Sequence, residues 1–104
     1  MFDFSIIIPA LNESFFIEKT VSQVINSIPT GKTFEIILIN DFSSDETGFL
    51  MDNIALRMEN VSVIHNKINM NLGGSYKIGV ENARGNYVIM IPGDNSFSSS
   101  SINQ

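Results

Sequence analysis

Four short runs of aliphatic residues punctuate the chain: Ser5 to Ile8, Glu35 to Ile39, Val61 to His65 and Tyr87 to Ile91. Their apolar positions are consecutive rather than alternating, which suits strands covered on both faces, as in a parallel sheet. Helical spacing fills the gaps. Between about Glu13 and Ile28 the residues Ile17, Val21, Val24, Ile25 and Ile28 fall on one stripe, and Pro29 with Gly31 ends it. A second helix is predicted to start at Ser43 and Glu46, which have capping-box spacing, and to turn Leu50, Ile54 and Met58 inward. A third, from about Gly74 to Ala83, puts Tyr76, Val80 and Ala83 on one side. Gly79 within it lowers helix propensity and implies a close neighbour. Strand and helix alternate throughout. That order predicts an α/β fold, a Rossmann-like doubly wound and mainly parallel sheet of about four strands and three helices.

Residues 1–95 form one expected domain. The stretch Ser96-Phe97-Ser98-Ser99-Ser100-Ser101 lacks apolar periodicity, so 96–104 is expected to be a Ser-rich tail or loop. At 104 residues there is room for a single core, and 43% apolar against 16% charged residues favours a packed domain over a disordered chain. A formal charge of −5 with no basic cluster disfavours nucleic acid as a partner. The absence of cysteine excludes disulfides and thiolate metal sites. No apolar run approaches the roughly 18 to 20 residues that span a bilayer, and the start Met1-Phe2-Asp3-Phe4 has no secretion-signal pattern. The expected location is cytoplasmic.

In an open parallel sheet, ligands bind beyond the carboxyl ends of the strands where successive crossovers diverge. Three polar segments should meet there: Pro9-Ala10-Leu11-Asn12-Glu13, Asn40-Asp41-Phe42-Ser43-Ser44 and Pro92-Gly93-Asp94-Asn95. Each has a plainer explanation, since Asn12, Glu13 and Ser43 could cap helices and Asp94-Asn95 could form a turn. Carboxylates at the ends of two different strands are harder to explain by packing alone. Gly73-Gly74, at the approach to the third helix, could present backbone N–H groups to an anion such as diphosphate or serve only a tight turn. His65 stands without other ligand-type residues around it. Lys77 and Arg84 are expected on a solvated face.

Ser5-Ile6-Ile7-Ile8-Pro9-Ala10-Leu11-Asn12-Glu13 resembles the first strand and loop of family 2 glycosyltransferases, which have the GT-A fold. Glu35-Ile36-Ile37-Leu38-Ile39-Asn40-Asp41-Phe42-Ser43-Ser44-Asp45-Glu46-Thr47 is similar to their second strand and its loop. The segment from Asn71-Leu72-Gly73-Gly74-Ser75 to Tyr87 resembles their third helix and fourth-strand approach. The Gly-Gly segment and Pro92-Gly93-Asp94-Asn95 are most like the branch acting on polyprenyl or dolichyl phosphates. The resemblance implies that Pro9, Asn12 and Glu13 border a nucleoside-diphosphate sugar, with Gly73 and Gly74 near it, and that Asp41 contacts the base. Asp94 matches the last aspartate of the family's Asp-X-Asp motif, which holds Mg²⁺ or Mn²⁺ on the diphosphate.

Two departures qualify the resemblance. Pro92 stands where the motif's first aspartate would be, leaving one carboxylate and, through its carbonyl, Asn95. The second half that supplies the acceptor site and the base in the family is missing, so the chain alone is expected to be inactive, and a complete protein could associate with a membrane. A sheet edge left open by that missing half favours self-association, and a homodimer is expected. An alternative is a non-catalytic α/β module that pairs through this edge. A receiver-like signalling domain fits the size but places its carboxylates after the first and third strands, unlike this chain.

Overall fold

The computed structural model describes residues 1–94, so Asn95 and the Ser-rich stretch lie outside the described residues. Seven elements alternate: β1 (Phe2–Ala10), α1 (Ile17–Ser27), β2 (Phe34–Asn40), α2 (Thr47–Arg57), β3 (Val61–His65), α3 (Asn71–Asn82) and β4 (Gly85–Met90). The strands form one all-parallel sheet in the order β3-β2-β1-β4.

Consecutive isoleucines are split by the strand's period of two. Ile6 and Ile8 of β1, with Ile36 and Leu38 of β2, face Ile17, Val21 and Val24 of α1 and Met51 and Ile54 of α2. Ile7, Ile37 and Ile39 point the other way, against Tyr76 and Ile78 of α3. Both faces are therefore covered, as the continuous apolar runs require.

The helices differ from expectation in their starts. Residues 13–16 form a turn in which Glu13 O accepts the N–H groups of Phe16 and Ile17, so α1 begins at Ile17. No capping box forms at α2. Instead, the Asp45 carboxylate accepts the N–H of Thr47, at 2.9 Å, and its hydroxyl. Thr47 can then be buried beside Met51 and Ile54, while Leu50 and Met58 pack at the margin.

Helix α3 begins at Asn71 rather than Gly74, and it turns Ser75 and Gly79 inward while Val80 stays 41% exposed. The cause is close approach. A Cβ on Gly79 would lie 2.5 Å from Cγ2 of Ile7, so the glycine lets the helix backbone rest on β1.

A polar lock closes the opposite end of the sheet. The buried Glu35 of β2 accepts the Ser5 hydroxyl at 2.6 Å and the Arg84 N–H at 2.7 Å on Oε2, while the Arg84 guanidinium reaches Oε1 at 3.2 Å. Ser5 Oγ in turn accepts the Gly85 N–H at 2.7 Å. Arg84, expected to be merely solvated, thus spends its charge on Glu35 although its side chain is 62% exposed. Lys77 is exposed as expected. Burial alone would raise the Glu35 carboxyl, but hydrogen bonds from Ser5 and Arg84, together with the Arg84 charge, outweigh it and hold it below the ordinary carboxylate value.

Glu35→Ala should destabilise the fold by about 2–4 kcal/mol, because it leaves the Ser5 and Arg84 donors without their acceptor. A carboxyl with a lowered folded pKa contributes stability above its unfolded value, and this is lost as pH falls through the folded one. Acid unfolding of Glu35→Gln, followed by circular dichroism, should therefore show a shallower loss of stability below pH ~4 than the unmodified chain. Gly79→Ala should cost about 1–3 kcal/mol in urea unfolding, since the new methyl group meets Ile7.

Candidate functional site

The strand order reverses at β1. Helices α1 and α2 pack on one face as the chain moves from β1 to β2 to β3, and α3 crosses the other face to place β4 on the far side of β1. At this reversal a cleft of about 330 Å³ opens at the carboxyl ends of the strands. The end of β1 supplies Pro9 and Ala10, its following loop Leu11 and Glu13, and the end of β2 Asp41. The first turns of α3 add Asn71, Leu72 and Ser75, and the chain beyond β4 adds Pro92, Gly93 and Asp94.

Asp94 is positioned by backbone pairing that continues past β4. Ile91 N–H donates to Ile7 O at 2.9 Å and Gly93 N–H to Pro9 O at 3.0 Å. A Cβ on Gly93 would sit 2.8 Å from that of Ala10, so this strip lies flat against the end of β1.

Asp41 is 4% exposed. Its N–H donates to Ala10 O, and its Oδ1 accepts Asn66 Nδ2 at 3.0 Å and the Met70 N–H at 2.7 Å. Asn66 Nδ2 also reaches Ser75 Oγ at 3.0 Å. One carboxylate thus joins the ends of three segments. Asn66 and Ser75 were not picked out from the sequence; the available signal was a polar residue directly after the third apolar run.

Asn12 and Glu13 cap no helix of their own. Asn12 Oδ1 accepts the Ser44 N–H at 2.8 Å and the Asp45 N–H at 3.3 Å, and the Asn12 N–H donates to Ser43 Oγ at 3.0 Å. Glu13 N–H donates to Thr47 Oγ1 at 2.9 Å. The loops after β1 and β2 are thereby stitched together, and Asn12 itself stays outside the cleft lining. Asn12, Phe42 and Asn71 all have positive φ, at 55°, 62° and 63°. Left-handed backbone is mild for asparagine but strained for phenylalanine, so the rim holds conformations that neighbouring contacts must enforce.

Burial raises the Glu13 carboxyl above its ordinary value, and the negative charges of Asp94 and then Asp45 raise it further. This edge of the cleft therefore favours a cation. No group of three or more His, Cys, Asp or Glu residues suited to holding a metal ion occurs among the described residues. An ion at Asp94 would need further oxygen ligands from a bound molecule. Pro92 lines the cleft without a carboxylate.

Gly73 and Gly74 lie within the first turns of α3, not in a turn before it, and neither lines the cleft. His65 lies outside the cleft lining as well. Its Nε2 is 2.9 Å from Asp52 Oδ1 and its Nδ1 3.0 Å from Asn40 Nδ2, which ties β3 to α2 and β2.

The family described as Glycosyl transferase family 2 matches residues 5–104. This chain belongs to that family. Among curated relatives it is 35% identical over 95 residues to the uncharacterized glycosyltransferase EpsJ of Bacillus subtilis, covering 91% of this chain and 27% of that protein. It is 28% identical over 96 residues to the dolichyl-phosphate beta-glucosyltransferase ALG5A of Trichomonas vaginalis, covering 86% and 30%. The mannosyltransferase PcManGT from Pyrobaculum calidifontis, solved in complex with GDP-Man and Mn²⁺, superposes with a TM-score of 0.76 at 19% identity, covering 88% of this chain and 27% of that one. The fold of this family 2 chain is GT-A. It spans between about a quarter and a third of the length of these proteins.

Asn12→Ala should lower stability by about 1–3 kcal/mol in urea unfolding, by removing the acceptor for the Ser44 and Asp45 N–H groups and by placing alanine at positive φ. Asn12→Gly should recover only the backbone part of that loss.

Proposed function

We propose that this family 2 domain binds a nucleoside-diphosphate sugar in the cleft at the β1/β4 reversal and serves as the donor-binding part of a glycosyltransferase. The observation that carries this reading is the meeting of Asp41 and Asp94 in one cleft, from opposite sides of the reversal, beside the first turns of α3. In it Asp41 meets the base, Pro9 and Glu13 border the nucleotide, and Asn12 holds the bordering loops. The N-terminal end of α3, from which Asn71, Leu72 and Ser75 line the cleft, favours the negative diphosphate through its helix dipole. Asp94 would hold Mg²⁺ or Mn²⁺ together with diphosphate oxygens, in a cleft that also carries the carboxylates of Glu13 and Asp41. Such an ion would neutralise charge on the departing diphosphate.

The proposed acceptor is a polyprenyl phosphate or a related lipid phosphate, which the dolichyl-phosphate relative supports, with a saccharide as the other acceptor class. Transfer itself is proposed to need more protein than this chain spans, in a complete enzyme that works on the cytoplasmic side of a membrane. A second reading, self-association through the sheet edge, is favoured by β4 pairing only with β1 among the described residues and by Tyr87, which is 68% exposed. Light scattering that gives a strict monomer at high concentration would count against it.

Titration calorimetry with UDP and GDP, each with and without Mn²⁺, tests the main reading. We expect metal-dependent binding that weakens at least about ten-fold in Asp94→Ala, the loss of one charged ligand to the ion. Metal-independent binding that Asp94→Ala leaves unchanged would remove Asp94 from the site, and no binding of either nucleotide would sink the proposal.

A further inference from the structure

The geometry points to a pH-sensitive latch at the carboxyl end of β2: neutral His65 orients the Asn40 side chain to hold the turn that follows, and protonation of His65 releases that turn. The latch stands apart from the nucleotide reading, since neither Asn40 nor His65 lines the cleft.

The Asn40 amide can be assigned end by end. Its Oδ1 accepts the Ser43 N–H at 2.9 Å, which fixes that end as the oxygen. Its other end, Nδ2, lies 3.0 Å from His65 Nδ1. An amide nitrogen only donates, so Nδ1 is the bare ring nitrogen and the ring proton sits on Nε2. There it meets Asp52 Oδ1 at 2.9 Å. One ring tautomer and one amide orientation thus satisfy every contact from Asp52 through His65 and Asn40 to Ser43.

A second proton on the ring breaks this run at one point. Nδ1–H and Asn40 Nδ2 become two donors face to face. Asn40 is 9% exposed, and a Cβ on Gly48 would lie 2.5 Å from Asn40 Nδ2 and 3.3 Å from His65 Cε1, so the first turn of α2 leaves the pair little room to draw apart. The remedy left is a half-turn of the amide, which gives its oxygen to Nδ1–H and sets its NH₂ against the Ser43 N–H. The turn then loses the bond that closes it. That turn contains Asp41, which lines the cleft, and Phe42, whose φ of 62° needs such contacts to hold it. Of the elements packed on β3, β2 brings the uncharged Asn40 and α2 brings Asp52, while Lys67, two residues on, is exposed. Asp52 accepts the Nε2 proton in both states of the ring, so the change falls on the Asn40 side.

Nuclear magnetic resonance on the ¹⁵N-labelled chain tests the latch. At about pH 8 the His65 ring should show the Nε2–H tautomer. Between about pH 8 and pH 5, the range in which histidine takes up its second ring proton, protection of the Ser43 amide from hydrogen exchange, corrected for the chemical rate, should fall about five-fold, the worth of one hydrogen bond. The fall should follow the His65 ring signals. His65→Gln should abolish this response. Asn40→Asp should abolish it too, since a carboxylate accepts from Ser43 and from Nδ1–H at once. An Nδ1–H tautomer at about pH 8, Ser43 protection that does not follow His65, or the same response in His65→Gln overturns the inference, and the His65→Gln comparison decides it even where Asn40→Asp fails to fold.

Discussion

A buried carboxylate at the start of β2 holds in place the one topological reversal on which the cleft depends. Parallel strands cannot be joined by tight hairpins, so β4 reaches β1 only after the long crossover through α3. Glu35 fixes the landing point by taking the Arg84 backbone, the Arg84 guanidinium and the Ser5 hydroxyl together, while Ser5 takes the Gly85 N–H. Gly85 has no room for a side chain, since a Cβ would lie 2.6 Å from the Ser5 nitrogen. With β4 seated there, its continuation runs along β1 and delivers Asp94 to the same cleft as Asp41. The lock lies at one end of the sheet and the chemistry at the other.

At the chemical end, support and recognition share side chains. Asp41 lines the cleft while its Oδ1 accepts the Asn66 amide and the Met70 N–H. Asn12 does no capping and joins two loops, and Thr47 both starts α2 and receives the Glu13 N–H. Through these contacts α1, α2 and α3 are all tied to the rim, so residues bordering the cleft inherit the rigidity of the core beneath them.

The sheet was legible because four consecutive aliphatic runs leave little alternative to strands covered on both sides. Even Gly79 announced its close neighbour, which proved to be Ile7. The helix starts were less legible, because they depend on contacts between loops distant in sequence: Ser43 looked like a cap for α2 but is taken by Asn12, and Asp45 holds Thr47 in its place. Helix α3 is expected to bury Tyr76, Val80 and Ala83; Tyr76 and Ala83 do pack on the sheet, but Val80 is exposed because the small Ser75 and Gly79 let the backbone come nearer. At the site, the spacing and the family resemblance brought out Asp41, Glu13 and Asp94, which do line one cleft. Asn66 escaped notice because a lone amide after a strand carries no pattern; its meaning comes from the carboxylate it touches.

The three left-handed residues have a consequence for kinetics. Asn12 and Phe42 lie in the loops after β1 and β2 and Asn71 opens α3, and each holds a left-handed backbone before any ligand arrives, mild for the asparagines and strained for Phe42. The shape of the rim is settled during folding, and a molecule entering it meets surfaces that need little rearrangement. Binding to such a rim loses little chain entropy, and its speed is set more by diffusion and charge than by waiting for a loop to close.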